Sequence, residues 1–188
     1  MVRLVVGLGN PGSQYEKTRH NVGFLFLDEL VVDYFGQWSY VSGFEGQVAE
    51  LVVGGAKLVM LKPDTYMNKS GASVGKLARY YKIVPENILV VHDELDFEVG
   101  AIKLKRGGGH AGHNGLRDII ANLGSPDFYR LRIGIGRPSG GKKVADYVLS
   151  SPSVNDCVVL AGAFAKGKSY FNEMASGDMA VVMNKINA

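Results

Sequence analysis

Cysteine is almost missing from this chain: Cys157 is the only one in 188 residues. A lone thiol excludes an intrachain disulfide and a zinc ribbon built on paired cysteines, and it favours a reducing compartment, so a cytoplasmic protein is expected. Long apolar runs are lacking too. None approaches the ~20 residues that a membrane-spanning helix requires. The stretch from Met1 to Gly9 has neither the basic start nor the small-residue cleavage site of a secretory leader, and reads as a first strand. Repeats and low-complexity linkers are absent, the 25 glycines being scattered through turns. With 46% hydrophobic and 21% charged residues, the chain can bury a sizeable core, and residues 1–188 are expected to form one domain.

No strong excess of charge points to one class of partner either. The formal net charge of +3 permits a polyanion without demanding one. The cations are unevenly placed, however. Lys103, Lys105, Arg106, Arg117, Arg130, Arg132, Arg137, Lys142 and Lys143 share one stretch in which the acids are Asp118 and Asp127. A solvated face explains such a run as well as a nucleic-acid footprint does.

Hydrophobic periodicity supplies the element order. Leu4 to Leu8 is a short β-branched apolar run ended by Gly and Pro, as in a buried strand. From Asn21 to Phe35 the apolar residues recur at helical spacing. Val48 to Val53 and Lys57 to Leu61, joined through Gly54-Gly55, form a predicted hairpin. A helix follows from about Asn68 to Tyr81, then strands at Ile88 to His92 and Ala101 to Lys105. Beyond the Gly107 to Gly112 loop come a helix from Asn114, a strand at Leu131 to Ile135, a helix from Asp156 to Tyr170 and a short helical tail after Gly177. Alternating strands and helices with one hairpin predict an α/β fold, a twisted mixed β-sheet surrounded by helices.

Of four polar clusters, three follow a predicted strand, where open α/β sheets gather their ligands if the strands are parallel. Gly7-Leu8-Gly9-Asn10-Pro11-Gly12 has the glycine pattern of a dinucleotide-binding turn, but Pro11 interrupts the chain where a helix should open and no acidic residue ends a second strand. A nicotinamide cofactor is therefore not expected, and no cofactor of another kind is indicated. Thr18-Arg19-His20-Asn21 leads into the first helix, and His92-Asp93-Glu94-Leu95-Asp96 ends a buried strand. Each is ordinary alone. Together they admit a carboxylate that fixes an imidazole tautomer and leaves the other ring nitrogen to take a proton from water.

Asn68 and Asn114 stand at helix starts, where asparagine is a favoured cap; their carboxamides are also suited to holding peptide backbone. His110 and His113 are the nearest approach to metal-ligand spacing, without a third ligand close in sequence, so no metal is expected. No Gly-x-Ser-x-Gly elbow is expected to present a nucleophilic serine, and Cys157 reads as a core-facing helix residue. Direct attack by water is the expected chemistry.

The blocks Val6 to Gly12, Tyr15, Thr18 to Asn21, Thr65 to Asn68, His92 to Asp96, Gly107 to Gly115 and Arg130 to Gly136, in this order and spacing, closely resemble the bacterial peptidyl-tRNA hydrolase family, from about residue 2 to about residue 150. The resemblance implies a monomer that releases peptide and free tRNA from peptidyl-tRNA. It implies His20 as the catalytic base, Asp93 as its orienting partner and Asn10 as the group that positions the ester or the water. It further implies Asn68 and Asn114 on the peptide backbone, Tyr15, Tyr66 and Met67 lining the cleft with His113 beside it, and Lys105 and Arg132 on tRNA phosphate. Ala111 departs from the family's usual glycine, which bears on loop freedom. The rivals are an RNA-binding protein that keeps the fold without turnover, against which the joint presence of these five polar residues (His20, Asp93, Asn10, Asn68, Asn114) speaks, and the nicotinamide-dependent oxidoreductase already set aside.

Overall fold

The computed structural model describes all 188 residues. Seven strands form one sheet in the order β2-β3-β4-β1-β5-β7-β6. The central strand β1 (Leu4–Gly7) lies parallel to β4 (Ala56–Pro63) on one side and β5 (Ile88–Glu94) on the other. Parallel strands covered on both faces read as continuous apolar runs, and β1 and β5 are buried along their whole length. The anticipated hairpin is β3 (Gly46–Val53) with β4, turning at Gly54-Gly55, both at positive φ. At the other edge, β7 (Tyr129–Gly134) runs parallel to β5, and β6 (Ile102–Arg106) runs antiparallel to β7.

Helices cover both faces. On one side α2 (Ser70–Tyr80) and α3 (Asn114–Leu123) close a cluster containing Leu4, Val6, Leu61, Val90, Leu77 and Ile119. On the other, α1 (Val22–Asp33), α5 (Val154–Ser169), α6 (Phe171–Ser176) and α7 (Met179–Ile186) cover a larger cluster containing Val5, Phe26, Leu30, Leu89, Phe164 and Val182. Alternate residues of β1 and β5 point into the two cores, as the two-residue period of a strand requires. No helix is long and apolar enough to cross a membrane.

Three short elements were not anticipated: β2 (Ser39–Val41), α4 (Val144–Val148) and α6, each too brief to show periodicity. Asp93, expected after a strand, lies within β5. Cys157 also differs from expectation. It is exposed, as are Val154 and Val158 beside it, so that face of α5 is turned to solvent.

The sheet and α1 meet through glycine. A Cβ at Gly7 would sit 2.5 Å from the Gly23 carbonyl oxygen, and one at Gly23 would overlap the Val91 carbonyl oxygen and reach 2.5 Å from the Leu8 amide nitrogen. All of these neighbours are backbone and cannot step aside cheaply. Gly23→Ala is therefore expected to cost about 1–3 kcal/mol or more through overpacking, measured as a shift of the urea midpoint at unchanged slope.

Candidate active site

The carboxyl ends of β4, β1 and β5 converge, as the parallel pairing makes them. The chain leaving β1 delivers Asn10, the chain leaving β4 delivers Tyr66, Met67 and Asn68, and the end of β5 carries Asp93. His20 comes from a single 3-10 turn, Arg19–Asn21, that opens α1. A cleft of about 510 Å³ is lined by Asn10, His20, Tyr66, Met67, Asn68, Asp93, His113 and Asn114, together with the unanticipated Arg137, Val148 and Leu149.

Asn10 is held rigidly. Its backbone N–H donates to Asn21 Oδ1 and its carbonyl accepts from Asn21 Nδ2, both at 2.9 Å, while its own Oδ1 accepts from the Met67 N–H at 2.7 Å. The amide oxygen is thus occupied, and the NH2 group is what Asn10 has left to donate. Asn21, for which no role was expected, fixes the Asn10 backbone, and the Met67 N–H orients the Asn10 amide. Neither Asn68 nor Asn114 is a cap. Asn68 lies inside a 3-10 turn, and α3 is capped by His113, whose Nδ1 accepts from the Leu116 N–H at 3.4 Å. Both carboxamides are exposed at the cleft.

Asp93 is the hub. It is 3% exposed, and each carboxylate oxygen accepts from a different imidazole: Oδ2 from His20 Nδ1 at 2.9 Å and Oδ1 from His113 Nε2 at 2.8 Å. An ionised carboxylate only accepts, so both facing ring nitrogens carry protons. His20 is thereby the Nδ1–H tautomer with its lone pair on Nε2. His113 carries its proton on Nε2, in agreement with its Nδ1 accepting at the cap.

Burial pushes the Asp93 carboxyl up, yet the attraction and hydrogen bonds of the two imidazoles hold it well below the usual carboxylate range. For His20, burial lowers the pKa, and the charge and hydrogen bond of Asp93 outweigh that, leaving it above 6.5. The same three side chains bring ligand atoms within 4.8 Å of one another, a grouping that could hold a metal ion and that linear spacing had hidden. An ion there would compete with the two hydrogen bonds for the Asp93 oxygens.

His92, behind them, is 2% exposed; its Nδ1–H donates to the Asp93 carbonyl at 2.7 Å and its Nε2 has no partner. Burial first, then repulsion by His113, pushes its pKa down to about 3.

The chain matches the family profile described as peptidyl-tRNA hydrolase over residues 4–188. It belongs to that family. A Methylococcus capsulatus peptidyl-tRNA hydrolase is 52% identical over 187 residues, spanning 100% of both chains. One from Coxiella burnetii is 50% identical over 187 residues, covering 100% of this chain and 98% of the relative. Among solved structures, the Acinetobacter baumannii peptidyl-tRNA hydrolase superposes with a TM-score of 0.96 at 44% identity, over 100% of this chain and 95% of that one.

Not every residue that the peptidyl-tRNA hydrolase resemblance suggested is in the cleft. Tyr15 sits in the turn before His20, where its carbonyl accepts from the Thr18 hydroxyl at 2.8 Å, and it is not among the lining side chains. Lys105 and Arg132 lie outside the cleft on β6 and β7. Burial and the neighbouring Arg132 and Arg130 lower the Lys105 pKa. Glu94, given no role from sequence, accepts from Arg132 Nε at 3.1 Å and leaves the two terminal guanidinium nitrogens without a protein partner. The buried Arg19, named beside His20, had no role expected of it. It donates to Ser150 Oγ at 2.7 Å and the Ser151 carbonyl at 2.9 Å, tying the His20 turn to the segment after α4. A Gly-x-Ser-x-Gly run does occur, at Gly71 to Gly75, but it lies within α2 with Ser73 fully buried, and presents no nucleophile.

These states carry a pH signature. Between pH 6.5 and about 3 the unfolded chain protonates His92 and the folded one does not, so stability falls as pH falls. Asp93 adds no slope until pH drops below its unfolded value, since its folded pKa is depressed. The contribution of His20 is fully present below 6.5 and is lost only as pH rises through its raised folded value. The His92 slope approaches about 1.4 kcal/mol per pH unit. His92→Gln should flatten the dependence of unfolding free energy on pH between 6 and 4.5, as followed by urea titration.

Proposed function

We propose that this chain, like the enzymes of its family, hydrolyses the ester between peptide and tRNA, with His20 Nε2 as the base that activates water. One observation carries the reading of the site: the Nδ1–H of His20 is committed to a buried carboxylate at 2.9 Å, while its ring lines a cleft shared with three asparagine carboxamides. The carboxylate selects the tautomer whose Nε2 lone pair is available, and the raised pKa strengthens it as a base.

Water attacks the ester carbonyl carbon as Nε2 takes one of its protons. The developing oxyanion is stabilised by amide N–H donors, with Asn10 oriented for this because its oxygen is already occupied. Collapse breaks the bond to the tRNA ribose oxygen, which takes the proton back from the imidazolium. The products are a peptide acid and free tRNA, and the base is restored. No covalent enzyme intermediate is needed, in keeping with a buried Ser73 and a Cys157 outside the cleft.

Asn68 and Asn114 suit the peptide backbone, which every peptide shares, and so support activity on many sequences. Met67 supplies apolar contact, the exposed Tyr66 ring a flank, and His113 holds the second oxygen of Asp93. Tyr15 acts on the His20 turn. Lys105 and Arg132 are read as phosphate contacts, supported by the two unpaired terminal nitrogens of Arg132. The whole acts as a monomer in the cytoplasm, a reading consistent with its one free thiol.

His20→Ala is expected to abolish release of an N-blocked amino acid from tRNA, a loss of about 10²–10⁴-fold, while tRNA binding persists; a near wild-type rate would remove His20 from the base role. The acid limb of kcat/KM should fall above pH 6.5 in the wild type, and Asp93→Asn should move it to lower pH while slowing the reaction. Lys105→Ala or Arg132→Ala should weaken tRNA binding and reduce the salt slope by about one; an intact slope would place the phosphate contacts elsewhere.

A further inference from the structure

Arg130 sits on β7 with 2% exposure and ranks among the largest fully buried side chains of the protein. Burying a guanidinium is costly, and this one has no carboxylate within ion-pair distance. Its two terminal nitrogens instead donate to consecutive backbone carbonyls of the glycine-rich loop: Nη1 to Gly109 and Nη2 to Gly108, both at 2.6 Å. Its charge lies 4.8 Å from the centre of the Phe128 ring. Burial, then repulsion from Arg132, lowers its pKa.

The loop so gripped has little else to hold it. Gly107, Gly108 and Gly112 adopt positive φ, and a Cβ placed at Gly109 or Gly112 would meet nothing within 4 Å. Ala111 is held at φ 48°, the left-handed region that costs a residue with a Cβ roughly 1–2 kcal/mol. The other bonds are Gly107 N–H to the Phe128 carbonyl at the loop's start, and the contacts of Gly112 and His113 with His110 within the loop itself. At the far end of the loop stand His113, bound to Asp93, and Asn114, in the cleft.

We propose that Arg130 is a positioning residue: from beneath the sheet edge it clamps the Gly108-Gly109 carbonyls, and so sets where His113 and Asn114 stand in the cleft. A fork with two donors at fixed spacing matches two successive carbonyls in a way that a single ammonium does not. Being buried, Arg130 reaches no phosphate, although it shares a sheet face with Lys105, its register partner, and Arg132. The inference rests on the reading of the cleft given above for its catalytic consequence, but not for the clamp itself.

The test compares wild type with Arg130→Lys, which keeps the charge and stem, and Arg130→Met, which removes the charge. Amide exchange is followed by mass spectrometry, and hydrolysis is measured on N-blocked aminoacyl-tRNA. In both variants, peptides spanning residues 107–114 should exchange at least about tenfold faster, with β5 and β7 unchanged, since only the loop opens. KM should rise more than kcat falls, with kcat/KM down about 10–100-fold, the scale of a misplaced positioning group. Affinity for deacylated tRNA and its salt slope should stay as in wild type.

Unchanged loop exchange in folded Arg130→Lys would overturn the clamp. A salt slope reduced by about one would overturn it too, by making Arg130 a phosphate contact. Should Arg130→Met fail to fold, Arg130→Lys decides alone. A wild type inert on the tRNA ester would count against the reading of the site, and loop exchange would still decide the clamp.

Discussion

One buried carboxylate, shared by two imidazoles, organises this protein's functional end. Asp93 could not stay ionised at its depth without partners, and removing either one would leave a charge partly unanswered. His20 arrives from the turn before α1 and His113 from the loop before α3, on opposite sides of β5. The hydrogen bonds that keep Asp93 charged therefore also fasten two otherwise separate segments to the central sheet. The tautomer of each ring follows from the same contacts, and with it the division of labour: one lone pair for the helix cap and one for the cleft.

The sheet order makes that meeting possible. With β4, β1 and β5 side by side and parallel, three chain crossings leave the same edge, and polar residues far apart in sequence arrive within a hydrogen bond of each other. Gly7 and Gly23 permit the close approach of α1 that seats the His20 turn over the end of β5. The Asn10 and Asn21 pair then ties that turn to the exit of β1.

Much of this was legible in the chain. Apolar runs marked the buried strands, glycines marked the hairpin turn, polar blocks after strands marked Asn10, Asn68 and Asp93, and the family resemblance added His20 and Asn114. What stayed hidden depended on side-chain direction or on distant partners. The resemblance placed His113 beside the cleft, but only the fold shows that its Nε2 meets the same carboxylate as His20. The metal-capable grouping draws on positions 20, 93 and 113 and has no local spacing to show. Asn114 looked like a cap because asparagine usually is one, until His113 took the post. Glu94, Arg19 and Arg130 act through contacts across the sheet or with segments far along the chain, and charge alone does not distinguish them from solvated neighbours. Tyr15, expected to line the cleft, sits in the turn before His20 and is not among the lining side chains.

The two hydrophobic clusters on either side of the sheet differ in size, 29 buried residues against 14. The smaller one includes Leu8, Met67 and Leu116, which neighbour the cleft, whereas the larger one holds the three C-terminal helices. Alternate residues of β1 and β5 belong to the two layers, Val5, Leu89 and Val91 to the larger and Leu4, Val6 and Val90 to the smaller, so the side of the molecule that borders the cleft is anchored through strands whose opposite face is held by the larger core.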